Sequence, residues 1–164
     1  MSAPMSDPGS PPPICVVEDS PVDLDLLRHA FRRRRLANPL TVARDGEEAL
    51  AGLERWARGE EPVPAVVLLD IRLPRINGLE VLRALRAHPD CGRIPVVMLT
   101  SSADDADIRT AYESGANSYI VKPVDFDRFM DVAEQIELYW CVLNQPPASV
   151  FTSGRSPRDE DSAR

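Results

Sequence analysis

Two rhythms of apolar and polar residues alternate along this chain. Short apolar runs recur, and between them apolar positions return every three or four residues. Ile14-Cys15-Val16-Val17 is the first short run and ends in Glu18-Asp19. Pro21 follows at a place where a first helical turn tolerates proline, with Asp19 or Ser20 as the candidate cap. Leu24, Leu27 and Phe31 carry helical spacing to about Arg35. Leu40 to Ala43 is the second run. Asp45-Gly46 then turns into a helix bearing Ala49, Leu50, Leu53 and Trp56, and Gly59 to Pro64 forms a loop. The third run, Ala65 to Leu69, stops at Asp70, and Pro74 and Gly78 punctuate the loop after it. Leu79, Leu82 and Leu85 predict a helix ending before Pro89. The fourth run, Pro95 to Leu99, ends at Thr100. Ile108, Ala111 and Tyr112 predict a helix capped by Gly115, and Ser118 to Val121 leads into Lys122-Pro123. Phe126, Phe129, Ala133, Ile136, Trp140 and Leu143 predict one long amphipathic helix.

Strand then helix, five times over, is the signature of an α/β fold. Runs apolar on both faces belong to a parallel sheet covered on both sides, and right-handed crossovers make it doubly wound. Residues 14–144 form the expected folded domain. Residues 1–13 and 145–164, rich in Pro, Ser and Gly or in charge, are expected to be disordered tails. A chain of 164 residues suits one domain with a single sizeable core. A net charge of −7 argues against nucleic acid or an anionic membrane as the main partner. No apolar run approaches the roughly 20 residues of a membrane span, and the N-terminus lacks the basic start of a signal peptide. Cys15, Cys91 and Cys141 are dispersed, which fits structural thiols in a reducing cytoplasm.

Ligands of such sheets bind beyond the carboxyl ends of the strands. Those ends carry Glu18-Asp19, Asp70, Thr100 and Lys122. Each residue alone has an ordinary role as a cap or a solvated surface group. Together they place three carboxylates, a hydroxyl and an ammonium at one edge. Clustered carboxylates repel, and a hard cation such as Mg2+, which prefers carboxylates, water and phosphate oxygens, relieves that repulsion. Asp70 then becomes a candidate nucleophile at phosphorus, with Lys122 neutralising charge and the Thr100 hydroxyl donating to a phosphoryl oxygen.

Val-Val-Glu-Asp-Ser, Leu-Leu-Asp-Ile-Arg-Leu-Pro-Arg-Ile-Asn-Gly-Leu, Val-Val-Met-Leu-Thr-Ser and Gly-Ala-Asn-Ser-Tyr-Ile-Val-Lys-Pro resemble the response-regulator receiver family in order and spacing. The resemblance implies a five-stranded flavodoxin-like sheet of order 2-1-3-4-5. It implies that Asp70 accepts phosphate from a phosphohistidine on a sensor histidine kinase. Asp19, Asp70 and the Arg72 backbone carbonyl would ligate Mg2+, with Glu18 acting through water. Thr100 and Lys122 would hold the phosphoryl group, Tyr119 would be the aromatic switch that follows Thr100, and the Lys122–Pro123 peptide would be cis. Arg72 and Ser102 would tune the phosphate lifetime. The long loop from Arg58 to Pro64 and the extended last helix are most similar to small single-domain regulators that pair with phytochrome-type kinases. Such a protein is a phosphoacceptor switch in the cytoplasm rather than an enzyme with a separate substrate, and its output is contact with another protein.

Leu138 to Leu143 is apolar almost all round, which predicts a homodimer through the last helix with Tyr139 and Trp140 at its face. Arg32 to Arg35 suits a helix C-terminus. His29 and His88 are isolated. Two other function classes fit less well. A Mg2+ phosphohydrolase acting through an aspartyl phosphate resembles a pattern with a second acid where Arg72 stands. A flavodoxin-like cofactor binder needs a phosphate loop where Glu18-Asp19 puts negative charge.

Overall fold

The computed structural model describes residues 9–35 and 37–145. Five strands form one sheet: β1 Ile14–Val17, β2 Leu40–Ala43, β3 Val66–Leu69, β4 Val96–Thr100 and β5 Ser118–Val121. Their order is β2-β1-β3-β4-β5 and every pairing is parallel. Helices α1 Pro21–Arg33, α2 Gly46–Ala57, α3 Gly78–Ala87, α4 Asp105–Glu113 and α5 Phe126–Glu137 alternate with them. The expected doubly wound architecture and strand order are therefore those observed.

Side-chain alternation explains why both faces are covered. Along a strand successive residues point to opposite faces. Ile14, Val16, Val66, Leu68, Val97 and Leu99 pack with Leu24, Leu27 and Phe31 of α1 and with Phe129, Met130 and Ile136 of α5. Cys15, Val17, Val67, Leu69, Val96 and Met98 pack with Leu53 and Trp56 of α2, Leu82 and Leu85 of α3 and Ala111 of α4. The central strands β1, β3 and β4 are buried throughout, and the edge strands β2 and β5 are only half-buried.

Each α-helix starts at a side-chain cap. Ser20, Asp45, Asn77, Asp104 and Asp125 accept hydrogen bonds from first-turn backbone N–H groups. Ser20, not Asp19, caps α1, which leaves the Asp19 carboxylate exposed for other partners.

Three expectations change. The chain is tied down before Ile14: Asn38 donates to the Pro12 carbonyl (2.7 Å) and the Ala65 N–H to the Pro13 carbonyl (2.8 Å). The rest of the expected N-terminal tail, residues 1–8, and the C-terminal tail from residue 146 lie outside the described residues. The last helix is not one α-helix. It is regular to Glu137 and continues as a π-helix over Leu138–Leu143, which ends with the Asn144 N–H donating to the Tyr139 carbonyl. A run with no polar position has no periodic face to fix, and the wider turn sets Trp140 and Cys141 against the α1/α5 core. Finally, the Lys122–Pro123 peptide, expected to be cis, is trans. Trans is the lower-energy isomer of an X–Pro bond by about 0.5–1 kcal/mol, and Lys122 reaches its carboxylate partners from it.

Candidate functional site

The backbone ladder delivers the site residues. Just past the strands, the Glu18 N–H donates to the Ala43 carbonyl (3.0 Å), the Asp70 N–H to the Val17 carbonyl (3.1 Å) and the Lys122 N–H to the Thr100 carbonyl (2.8 Å). Parallel register therefore fixes these residues at one edge. Gly78 seals the loop after Asp70. Its N–H donates to the Ile71 carbonyl (2.9 Å), and a Cβ there would lie 2.0 Å from the Asp70 carbonyl oxygen. No side chain fits between α3 and the loop after Asp70, so glycine is required.

Lys122 Nζ is the hub. It donates to Glu18 Oε2 (2.5 Å), Asp23 Oδ2 (2.8 Å) and Asp70 Oδ2 (3.1 Å), and its side chain is only 8% exposed. Three acceptors use up the three protons of an ammonium. Burial pulls the Lys122 pKa down, but the hydrogen bonds it donates to Asp23 and Glu18 and the charges of Asp70 and Glu18 outweigh it and leave it above the ordinary lysine value. Glu18 is buried, and burial pushes its carboxyl up to about 7 against the hydrogen bonds from Lys122 and from the Ser20 N–H.

Oxygens of Glu18, Asp19 and Asp70 lie within 4.8 Å of one another. With Asp23 added, four carboxylates share this edge with one ammonium, an excess of negative charge that a hard divalent cation suits. The donor set fits Mg2+ or Mn2+: oxygens only, with exposed Asp19 leaving room for water. The Arg72 backbone N–H donates to Asp70 Oδ1 (3.2 Å), which holds the start of the loop against the Asp70 carboxylate.

Thr100 is fully buried, and its Oγ1 accepts the Ser102 N–H (3.4 Å). Tyr119 lies half-buried against the α2/α3/α4 core, and its hydroxyl donates to the Ser102 carbonyl (2.8 Å). Burial raises the Tyr119 pKa. Glu18, Asp19 and Asp70 thus lie together with Lys122 bonded to two of them, Thr100 adjoins Lys122 through the backbone, and Ser102 links Thr100 to Tyr119. Tyr139 and Trp140 stand apart from this edge and meet edge-to-face at 4.9 Å.

Sequence reasoning missed Asp23. The signal was present: an acid in the first turn of α1 sits beside the carboxyl end of β1, where the other acids cluster. Arg86 was missed too. From α3 it donates to the carbonyls of Gly115 (2.8 Å), Gly92 (3.1 Å) and Ile94 (2.7 Å) and to Asn117 Oδ1 (2.8 Å), tying together the loops that precede β4 and β5.

Comparison with known proteins gives a consistent picture. The sequence model of the response regulator receiver domain matches residues 14–134. The response regulator Rcp1 of Synechocystis sp. is 35% identical over 147 residues, covering 88% of this chain and all of that protein. Its manganese-bound crystal structure superposes with a TM-score of 0.78 over 84% of this chain and 100% of that one, at 34% identity. The phosphorylated cyanobacterial phytochrome response regulator RcpA gives 0.78 at 31% identity, covering 84% and 99%. The bacteriophytochrome response regulator RtBRR gives 0.65 at 45% identity, covering 85% and 86%.

Proposed function

Because the chain belongs to the response regulator receiver family and is related to phytochrome response regulators, we propose that it accepts a phosphoryl group on Asp70 from a sensor histidine kinase of the phytochrome type. One observation carries the reading: the Asp70 carboxylate stands 3.1 Å from a buried ammonium and beside two further acids. An Asp70 oxygen attacks phosphorus, and the P–N bond to the donor imidazole breaks with its electron pair left on nitrogen. Glu18, through water, Asp19, Asp70 and the Arg72 carbonyl would hold Mg2+, which when bound neutralises phosphoryl charge and aligns the reacting oxygens. Lys122 takes a share of that charge. Thr100 donates its hydroxyl to a phosphoryl oxygen and, in moving, releases Ser102 and with it Tyr119. The product is a switch rather than a released compound, so the protein is a phosphoacceptor and not an enzyme in the usual sense, and it works in the cytoplasm through a downstream protein.

The reading includes a homodimer. Leu138, Tyr139, Val142 and Leu143 are each at least 43% exposed on the π-helix. Of these, Tyr139 lines a groove of about 800 Å³ whose walls also include Pro95, Ser118, Ile120, Ile136 and Trp140. This lies at the amino end of β4 and β5, opposite Asp70, so pairing there leaves the phosphoacceptor open. Light scattering should give twice the chain mass for wild type and the chain mass for Tyr139→Glu/Val142→Glu. A wild-type monomer at high concentration contradicts the dimer. The kinase is tested by phosphotransfer: a radiolabelled bacteriophytochrome kinase should lose its label to wild type and keep it with Asp70→Asn. Equal transfer to both would move the acceptor elsewhere.

A further inference from the structure

Two side chains flank the phosphoacceptor from separate loops, Arg72 after β3 and Ser102 after β4, and both meet a residue that belongs to neither loop. Asp107 lies in the first turn of α4. Its Oδ2 accepts the Ser102 hydroxyl (2.6 Å), and Arg72 Nη2 stands 3.9 Å from the same oxygen. The Asp107 side chain is 26% exposed and that of Arg72 is 71% exposed. Ser102 is itself fixed, by its N–H on Thr100 Oγ1 and by Tyr119 on its carbonyl. One carboxylate oxygen therefore joins the loop after Asp70, the loop after Thr100 and helix α4.

We propose that Asp107 is a positioning residue that holds the Arg72 guanidinium toward α4 and so opposes the phosphorylated state. The inference rests on the receiver reading and deepens it. A phosphoryl group on Asp70 brings up to two negative charges and strong acceptor oxygens beside the Arg72 backbone, which already donates to Asp70 Oδ1. A guanidinium pairs better with a phosphoryl group, in a two-pronged hydrogen bond, than with one carboxylate oxygen at 3.9 Å. Asp107 competes for the same cation, and its own charge adds a screened repulsion of the phosphoryl dianion. Phosphorylation then has to draw Arg72 off Asp107. That removes one tie between the phosphoacceptor loop and α4 and leaves Ser102 as the other.

The test is the affinity of the full chain for beryllofluoride, a phosphoryl mimic, with Mg2+ present. Asp107→Asn keeps an acceptor for the Ser102 hydroxyl and removes only the charge. It is expected to tighten binding by about fivefold at low salt, in the range of partly exposed charge pairs, and the gain should shrink as salt is added. Asp107→Glu, which keeps the charge, should stay near wild type. In an Arg72→Ala background the Asp107→Asn gain should fall by at least half, a coupling that a general loosening of α4 would not give. An unchanged affinity in Asp107→Asn, or a gain of the same size without Arg72, overturns the proposal. Wild-type protein that takes up no beryllofluoride would instead remove the receiver reading on which it rests.

Discussion

At the scale of single residues, the site is a contest for one ammonium and for one group of carboxylate oxygens. Lys122 satisfies Glu18, Asp23 and Asp70, whereas Glu18, Asp19 and Asp70 make the cluster that suits a cation. Asp23 is outside that cluster and Asp19 is outside the lysine's reach. The two acids should therefore separate in a titration. Asp19→Asn is expected to weaken Mg2+ binding by about tenfold through loss of ligand charge. Asp23→Asn should change it by no more than about twofold, the size of a screened charge change at the rim. Isothermal titration calorimetry reads both, and equal losses would show that the carboxylates act as one undivided field.

Elements carry the next set of consequences. Arg86 binds three carbonyls and the Asn117 side chain, which in turn accepts the Val96 N–H (2.9 Å). Arg86→Met should lower stability by about 2–4 kcal/mol in urea unfolding, because several carbonyls lose a charged donor; a loss under about 0.5 kcal/mol would mean that water replaces the guanidinium freely. At the junction of α5 and the π-helix, Glu137 is buried and its Oε2 has no partner among the described residues. Burial raises its pKa, with Arg34 opposing and Glu134 adding. An acid held above its unfolded value favours the fold most below the unfolded pKa, near 4.3, and that contribution is lost as pH rises through the folded value. Glu137→Gln stays neutral. Its stability should exceed that of wild type by about 1 kcal/mol near pH 8 and match it near pH 4. A constant difference across that range would contradict a titrating origin.

The strands and helices were readable because their signals are local. A four-residue apolar run, a cap and a period of three to four each lie within one short window. The site was readable for a related reason: in a parallel sheet, the residue after each strand lies at the same edge whatever the distance along the chain. Glu18, Asp70 and Lys122 follow that rule, with Asp19 one residue further on and Thr100 closing β4 at the same edge. Contacts set by side-chain reach did not follow it. Asp23 meets Lys122 across 99 residues of sequence, and Arg86 meets Asn117 across 31. No window contains both partners. The π-helix escaped because an apolar run carries no mark of how many residues complete a turn, and the trans Lys122–Pro123 bond shows that a dipeptide resemblance does not fix an isomer.

Seen as a whole molecule, the chain separates two regions by the length of its sheet. Acidic chemistry gathers at the carboxyl edge, where Val121, Val124 and Phe126 are also exposed, and the exposed apolar residues Leu138, Tyr139, Val142 and Leu143 lie at the other end of α5. At the carboxyl edge, a chain of hydrogen bonds runs from Thr100 through Ser102 to Tyr119. The central claim, that Asp70 is the phosphoacceptor in a cation-dependent cradle, is tested most directly by chemical mapping. The protein would be treated with acetyl phosphate, the acyl phosphate reduced with borohydride, and the modified residue located by tandem mass spectrometry. Conversion at residue 70 alone, present with Mg2+ and abolished by a chelator, is the predicted result. Conversion at another carboxylate, or at residue 70 to the same extent without a divalent cation, would contradict the account.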